Sequence, residues 1–217
     1  MAVLPLFPLG TVLMPGAQLP LQVFEPRYLQ LLHDLIENQD RQVPVFGVVA
    51  IREGHEVGAD GVKALHAVGC AAQLTQAAAL GDNRFLVIST GISRFRLEGV
   101  DEAAGTVYPT GVVSWLSEPL GDRDAVAALA PRLRSELLRY RADVGADPLE
   151  PPVDPWELSY WVPRALILDI GDRQLLLASS DTEARLRLGL QLVRREQAVH
   201  AALGAVGRPP EPPVNLN

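Results

Sequence analysis

Residues 3–28, VLPLFPLGTVLMPGAQLPLQVFEPRY, consist of short apolar runs that end at proline or glycine. Runs of this kind at residues 3–7, 11–14 and 19–24 predict three short strands joined by tight turns. Pro26 then occupies a favourable first position for a helix. The helix is supported by apolar residues at three- and four-residue spacing, namely Tyr28, Leu31, Leu32, Leu35 and Ile36. We expect it to end near Asn38.

Further apolar runs follow, separated by turn-forming glycines, at residues 43–51, 62–76, 84–90, 92–100 and 106–116. Regularly spaced strands with little helix between them favour a closed or nearly closed antiparallel barrel. From about residue 121 the apolar spacing becomes helical, most clearly over residues 126–140. The sequence therefore predicts an α+β protein: a barrel subdomain over 1–118, a helical bundle over 119–206, and an extended Pro-rich tail over 207–217.

Helix-start signals divide the second half of the chain into separate predicted helices. Asp154 is a candidate N-cap, followed by Pro155 and, three residues after the cap, Glu157. Pro163 lies inside this helix and is expected to kink it or delay its start, because proline removes a backbone donor. A short helix near residues 173–178 and a last helix opened by Ser180 or Asp181 complete the predicted elements.

Composition excludes several functions. The 217 residues carry a net charge of −7, which argues against a nucleic-acid or anionic-membrane partner. Lys63, the single lysine, is followed by Ala64, so no phosphate-binding loop is present. The four histidines are isolated and the one cysteine, Cys70, is expected to be a buried apolar residue; we therefore expect no metal and no cofactor. No apolar run is long enough to span a membrane, and the N-terminus lacks the basic start of a signal peptide, so we expect a cytoplasmic protein.

The opening string, residues 4–16 and 19–28, resembles the N-terminal substrate-binding domain of Lon proteases. The segments 46–49, 91–96 and 173–177 are similar to later parts of that family, so the resemblance covers about residues 3–200. It implies a PUA-like barrel with one inserted helix, followed by a helical bundle. It also implies a stand-alone protein without the family's ATPase and peptidase modules, hence not an enzyme, which recognises unfolded or tagged protein segments in protein quality control. A separate protease or chaperone is an expected partner.

Two regions are candidates for the binding surface. In the first, Glu25 interacts with the start of the helix while Arg27 and Tyr28 line a peptide groove, although a structural role for this segment is the stronger interpretation. In the second, Arg94 and Arg96 alternate with Phe95, so both arginines are expected on one strand face as donors to substrate or as a solvated pair. Exposed apolar side chains would complete the surface: Phe7, Met14 and Trp115.

Two alternatives to peptide recognition stay open at this point. PUA-like barrels elsewhere bind RNA, but residues 1–118 hold 7 basic and 12 acidic side chains, which opposes that function. A small-molecule binder or an enzyme with an unfamiliar site would instead need a deep pocket with converging polar groups.

Overall fold

The structure, a computed structural model, describes residues 1–40, 42–54, 62–101, 103–147 and 149–206. Within these ranges the strands are β1 Ala2–Leu9, β2 Gln18–Val23, β3 Val45–Gly54, β4 Val62–Leu65, β5 Val68–Gly81, β6 Arg84–Val100 and β7 Thr110–Trp115. The helices are α1 Pro26–Glu37, α2 Arg123–Asp143, α3 Pro155–Ala165, α4 Ile170–Ala178 and α5 Thr182–Val206. The predicted α+β class is confirmed.

The strand pairings return to the strand from which they start. Neighbouring strands follow the order β1, β7, β6, β5, β3, and β3 pairs again with β1. Such a circuit is compatible with the predicted barrel. One pairing departs from the expectation of an all-antiparallel sheet: β1 and β3 are parallel, with Leu6 opposite Gly47. The chain between them contains β2 and α1, and parallel neighbours need a long crossover connection of this kind.

Phe95 lies at the centre of the barrel core. It is fully buried in a cluster with Leu4, Leu6, Val49, Ala71 and Val113. Two glycines leave room for its ring: a Cβ atom at Gly69 would lie 2.5 Å from Phe95 Cζ, and one at Gly47 would lie 2.8 Å from the same atom. Strands β5 and β3 can therefore come this close to the Phe95 ring only because these two positions carry no side chain.

Residues 11–14 are irregular, so the strand predicted there is wrong. Val12, Leu13 and Met14 are nevertheless buried. The segment that follows is held against β6, because Gly16 N donates to Gly91 O at 2.8 Å and Gly91 N donates to Ala17 O at 2.9 Å. A Cβ atom at Gly91 would overlap the Met14 carbonyl oxygen. Gly91 thus admits a crossing chain and does not divide the strand, since β6 runs unbroken from Arg84 to Val100.

The helix signals are partly confirmed. Asp154 caps α3, its side chain accepting a hydrogen bond from Glu157 N at 3.0 Å. Pro163 does not delay the start of α3, which begins at Pro155 and includes Pro163. The helix ends at Ala165, two residues beyond the proline, which itself has no N–H to donate to the carbonyl group four residues earlier.

The described residues form two compact units, residues 1–119 with 168–181, and residues 120–167 with 182–206. The tail predicted over 207–217 lies outside the described residues. Helix α4 therefore belongs with the strands, although the sequence places it among the helices. Gln174 explains this grouping, because its Nε2 donates to Val68 O of β5 at 2.9 Å. The second unit has its own core, formed by the fully buried side chains of Leu133, Leu137, Leu186 and Val193.

Cys70 is fully buried in β5, as expected, and burial raises the pKa of its thiol to about 12. It therefore stays protonated and serves as a small apolar core residue. Among the described helices, none combines the length and the apolar character needed to cross a bilayer.

We expect Gly69→Ala to destabilise the protein by roughly 1–3 kcal/mol, because the added methyl group overlaps Phe95 and the Val48 carbonyl oxygen. Gly99→Ala is the matched control, since a Cβ atom at Gly99 meets nothing within 4 Å. Urea unfolding followed by circular dichroism measures both. Equal stability of the two variants would contradict this account of the core.

Candidate functional site

Three side chains form a stack where β1 meets the first turn of α1. The rings of Phe7 and Tyr28 are stacked, with centroids 4.0 Å apart and an interplanar angle of 15°. Arg27 Cζ lies 4.5 Å from the Tyr28 ring centroid. Because Phe7 covers one face of that ring, the guanidinium occupies the other face, in a cation–π contact. Phe7 and Tyr28 are 8% and 3% exposed, so the stack is packed in place and the expectation that Phe7 is exposed is wrong.

Glu25 fixes the position of Arg27. Its Oε2 lies 3.0 Å from Arg27 Nη2 and accepts a hydrogen bond from Arg27 Nε at 3.2 Å. Both side chains are less than one-fifth exposed. Glu25 also stands at the N-terminus of α1, where the helix dipole favours a negative charge. The ion pair therefore holds the guanidinium against Tyr28.

A small open groove borders this stack. We name it the Tyr28 groove; its volume is about 100 Å³ and it is lined by Phe7, Pro8, Leu9, Leu21, Gln22, Val23, Phe24, Glu25 and Tyr28. Phe24, at the end of the apolar run 19–24, is 53% exposed. Small-molecule pockets usually enclose about 300–1,000 Å³. The Tyr28 groove is smaller, and its size and apolar lining suit a side chain of a polypeptide.

Two of the predicted apolar residues lie elsewhere. Met14 is 3% exposed and packs at the Gly91 crossing, so it does not contribute to an exposed patch. Trp115 is 50% exposed and makes an edge-to-face contact with Phe95, with ring centroids 6.4 Å apart. The structure therefore brings together Phe7, Glu25, Arg27 and Tyr28, but not Met14 or Trp115.

Arg94 has an internal role, and this corrects its prediction as a substrate donor. Its side chain is 2% exposed and forms a two-pronged pair with Glu118, with Nε–Oε1 at 2.7 Å and Nη2–Oε2 at 3.1 Å. Its Nη1 donates to the carbonyl oxygens of Leu177 and Ser179, at 2.7 and 2.6 Å. These bonds attach the end of α4 to the barrel strand β6.

Arg96, two residues along β6, is exposed. Phe95 between them is buried in the barrel core, as alternation along a strand requires. The predicted arginine pair is thus divided: residues 117–118 and 177–179 cover Arg94, whereas Arg96 faces solvent. The spacing could not show this, because the covering residues are distant in sequence.

A larger groove lies further along α1, and nothing in the sequence predicted it. We name it the Asp34 groove; it encloses about 360 Å³ between β1, α1, residues 42–45 and Tyr108. Tyr108 OH donates to Asp34 Oδ2 at 2.7 Å across 74 positions of sequence. Burial, and next the hydrogen bond to Asp34, raise the pKa of Tyr108 to about 12, so the phenol remains a donor at neutral pH. No group of side chains among the described residues is arranged to hold a metal ion.

The molecule is thus an α+β protein in which open grooves, the Tyr28 groove and the Asp34 groove among them, lie beside an inserted helix. The family model for the ATP-dependent protease La (LON) substrate-binding domain matches residues 3–195. This chain belongs to the Lon substrate-binding domain family, as residues 4–28 led us to expect.

Individual relatives agree with this assignment. The chain is 29% identical over 206 residues to Lon protease 2 of Sorangium cellulosum and 27% identical over 206 residues to the Lon protease of Anaeromyxobacter dehalogenans. These alignments include 90% and 91% of this chain. The chain spans about a quarter of the length of these curated relatives, 25% and 24%.

Solved structures show the same architecture. A Lon N-terminal domain protein from Xanthomonas campestris is 31% identical, with a TM-score of 0.61, over 88% of this chain and 98% of that one. The N-terminal domain of the Mycobacterium avium complex Lon protease is 16% identical, with a TM-score of 0.67, over 89% and 98%. At that identity the second likeness concerns the fold alone.

We expect Arg94→Met to cost about 3 kcal/mol of stability, because it leaves Glu118 and two carbonyl groups without their cationic donor. Arg96→Met is the control and should change stability by less than about 0.5 kcal/mol, since Arg96 is exposed. Thermal unfolding measures both. A stable Arg94→Met variant would refute the structural role given to Arg94.

Proposed function

We propose that this chain is a non-catalytic recognition module that binds unfolded or tagged protein segments at the Tyr28 groove. The observation that carries the proposal is the stack of Phe7, Tyr28 and Arg27, which gives a substrate-binding domain of the Lon family a preformed apolar groove. In a cytoplasmic setting, a separate protease or chaperone would then receive the bound segment.

Apolar burial supplies the affinity. Phe24 stands half-exposed at the rim, and Leu21 and Val23 line the wall of the same groove. An apolar side chain from an unfolded segment covers these surfaces when it enters, and apolar area removed from water is stabilising. Because the flexible segment must be ordered on binding, we expect modest affinity for any one segment.

Side-chain insertion explains recognition better than strand addition at the neighbouring edge. Among the described strands β2 pairs only with β6, so its other edge is open. Pro20, opposite Ile88 in the middle of β2, has no N–H to donate to an added strand. Proline at such a position discourages pairing along an open edge.

The decisive experiment measures binding of reduced, carboxymethylated α-lactalbumin, a permanently unfolded protein, by isothermal titration calorimetry. Phe24→Asp should weaken this binding roughly tenfold, because a charge at the rim opposes entry of an apolar side chain. Leu175→Asp is the matched control: Leu175 is 59% exposed on α4 and does not line the groove.

The outcomes show whether an error lies in the proposed site or in the proposed function. Equal weakening by the two variants, or by neither, would refute the Tyr28 groove as the site. Failure of the unaltered protein to bind the unfolded probe would refute the function itself. Tight RNA binding that falls steeply with salt would favour the nucleic-acid alternative, and turnover of a substrate by the purified chain would exclude a non-catalytic role.

A further inference from the structure

The Asp34 groove is separate from the Tyr28 groove. The two grooves share no lining residue: of α1, Tyr28 in the first turn lines one, and Leu31, Asp34 and Leu35 further along the helix line the other. At about 360 Å³ the Asp34 groove is within the range of ligand-binding cavities. The Asp34 groove is therefore large enough to hold a ligand of its own.

The groove combines one negative charge with apolar walls. Asp34 is the charged side chain that lines it, and its carboxylate accepts hydrogen bonds from Tyr108 OH at 2.7 Å and from Gln30 Nε2 at 2.8 Å. Both donors are neutral and leave the charge of the carboxylate in place. Among the described residues, none with a basic side chain lines the groove or pairs with Asp34. A cationic ligand would balance the negative charge of Asp34.

The hydrogen bonds also orient the carboxylate. Each oxygen of Asp34 accepts one bond, and a carboxylate oxygen can accept two. Both oxygens therefore retain acceptor capacity for an incoming donor. A guanidinium, whose parallel N–H groups match two carboxylate oxygens, fits this arrangement better than a single ammonium does.

The apolar residues fit the stem of such a side chain. Leu4 and Leu31 are buried at the base of the groove, whereas Val3 and Val43 are 58% and 61% exposed at its rim. Arginine and lysine commonly lay their methylene groups on apolar surface while the charged end meets a polar partner. A polyanion such as RNA would instead bring phosphates towards Asp34, which is unfavourable.

We propose that the Asp34 groove is a subsite for a basic side chain, arginine in preference to lysine, of a bound protein segment. The inference rests on the proposed function, because it takes a polypeptide as the ligand. It adds a preference in substrate sequence: segments that carry an arginine among aliphatic residues bind more tightly than neutral segments of the same shape.

The test compares two labelled peptides by fluorescence anisotropy, Ala-Leu-Leu-Arg-Leu-Leu-Ala and the same peptide with citrulline in place of arginine. Citrulline keeps the shape of the side chain and removes its charge. The arginine peptide should bind about tenfold more tightly, because bonds between charged groups contribute more than neutral ones. Asp34→Asn should abolish this difference, whereas Glu37→Gln, an equal change of charge at an exposed position on the same helix, should preserve it.

A second variant tests the subsite even if the protein does not fold with Asp34→Asn. Val43→Lys places a cation at an exposed position on the rim and should weaken the arginine peptide selectively, leaving the citrulline peptide unchanged. Circular dichroism confirms the fold of each variant.

Equal affinity of the two peptides for the unaltered protein would overturn the inference, and so would a difference that survives both Asp34→Asn and Val43→Lys. Either result leaves the proposed function standing if unfolded α-lactalbumin still binds. Tighter binding of single-stranded oligouridine than of the arginine peptide, lost in Val43→Asp, would also overturn it in favour of a nucleic-acid site.

Discussion

The packing of Phe95 against glycine is the constraint on which the barrel depends. Its ring occupies space that a methyl group at Gly69 or Gly47 would fill, so three strands meet around one aromatic side chain. The next residue, Arg94, bonds outward to Glu118 and to the last carbonyl groups of α4. Two adjacent positions on β6 thus fix the interior of the barrel and the position of the helix outside it.

Helix α1 packs against β1 of this barrel and supplies residues to both grooves. Its first turn supplies Tyr28, which Phe7 of β1 covers on one face and Arg27 on the other. Further along the helix, Asp34 bonds to Tyr108 of the chain that leads into β7. Because the aromatic surfaces are held before any ligand arrives, less conformational entropy is lost on binding than in a flexible site. One inserted helix therefore contributes to the Tyr28 groove with its first turn and to the Asp34 groove with residues further along.

The sequence predicted what depends on local pattern. Strand and helix spacing predicted the α+β class, the helix after Pro26 and the cap at Asp154. The segment 25–28 drew attention to Glu25, Arg27 and Tyr28, which the structure places in contact, and their role in binding stays a prediction. Contacts between residues that are far apart in the chain could not be predicted. Nothing near Arg94 shows that residues 177–179 cover it, and nothing in the run 11–14 shows that Gly91 admits the following chain across β6. The hydrogen bond from Tyr108 to Asp34 could not be predicted for the same reason.

Docking of an unfolded segment on the preformed surface beside Tyr28 can be observed residue by residue. In two-dimensional ¹H–¹⁵N NMR of the labelled protein, titrated with carboxymethylated α-lactalbumin, the largest shift changes should fall on the backbone amides of residues 21–25 and 28, with the helices of the second unit unaffected. Binding that moves only the amides of α2, α3 and α5 would contradict it.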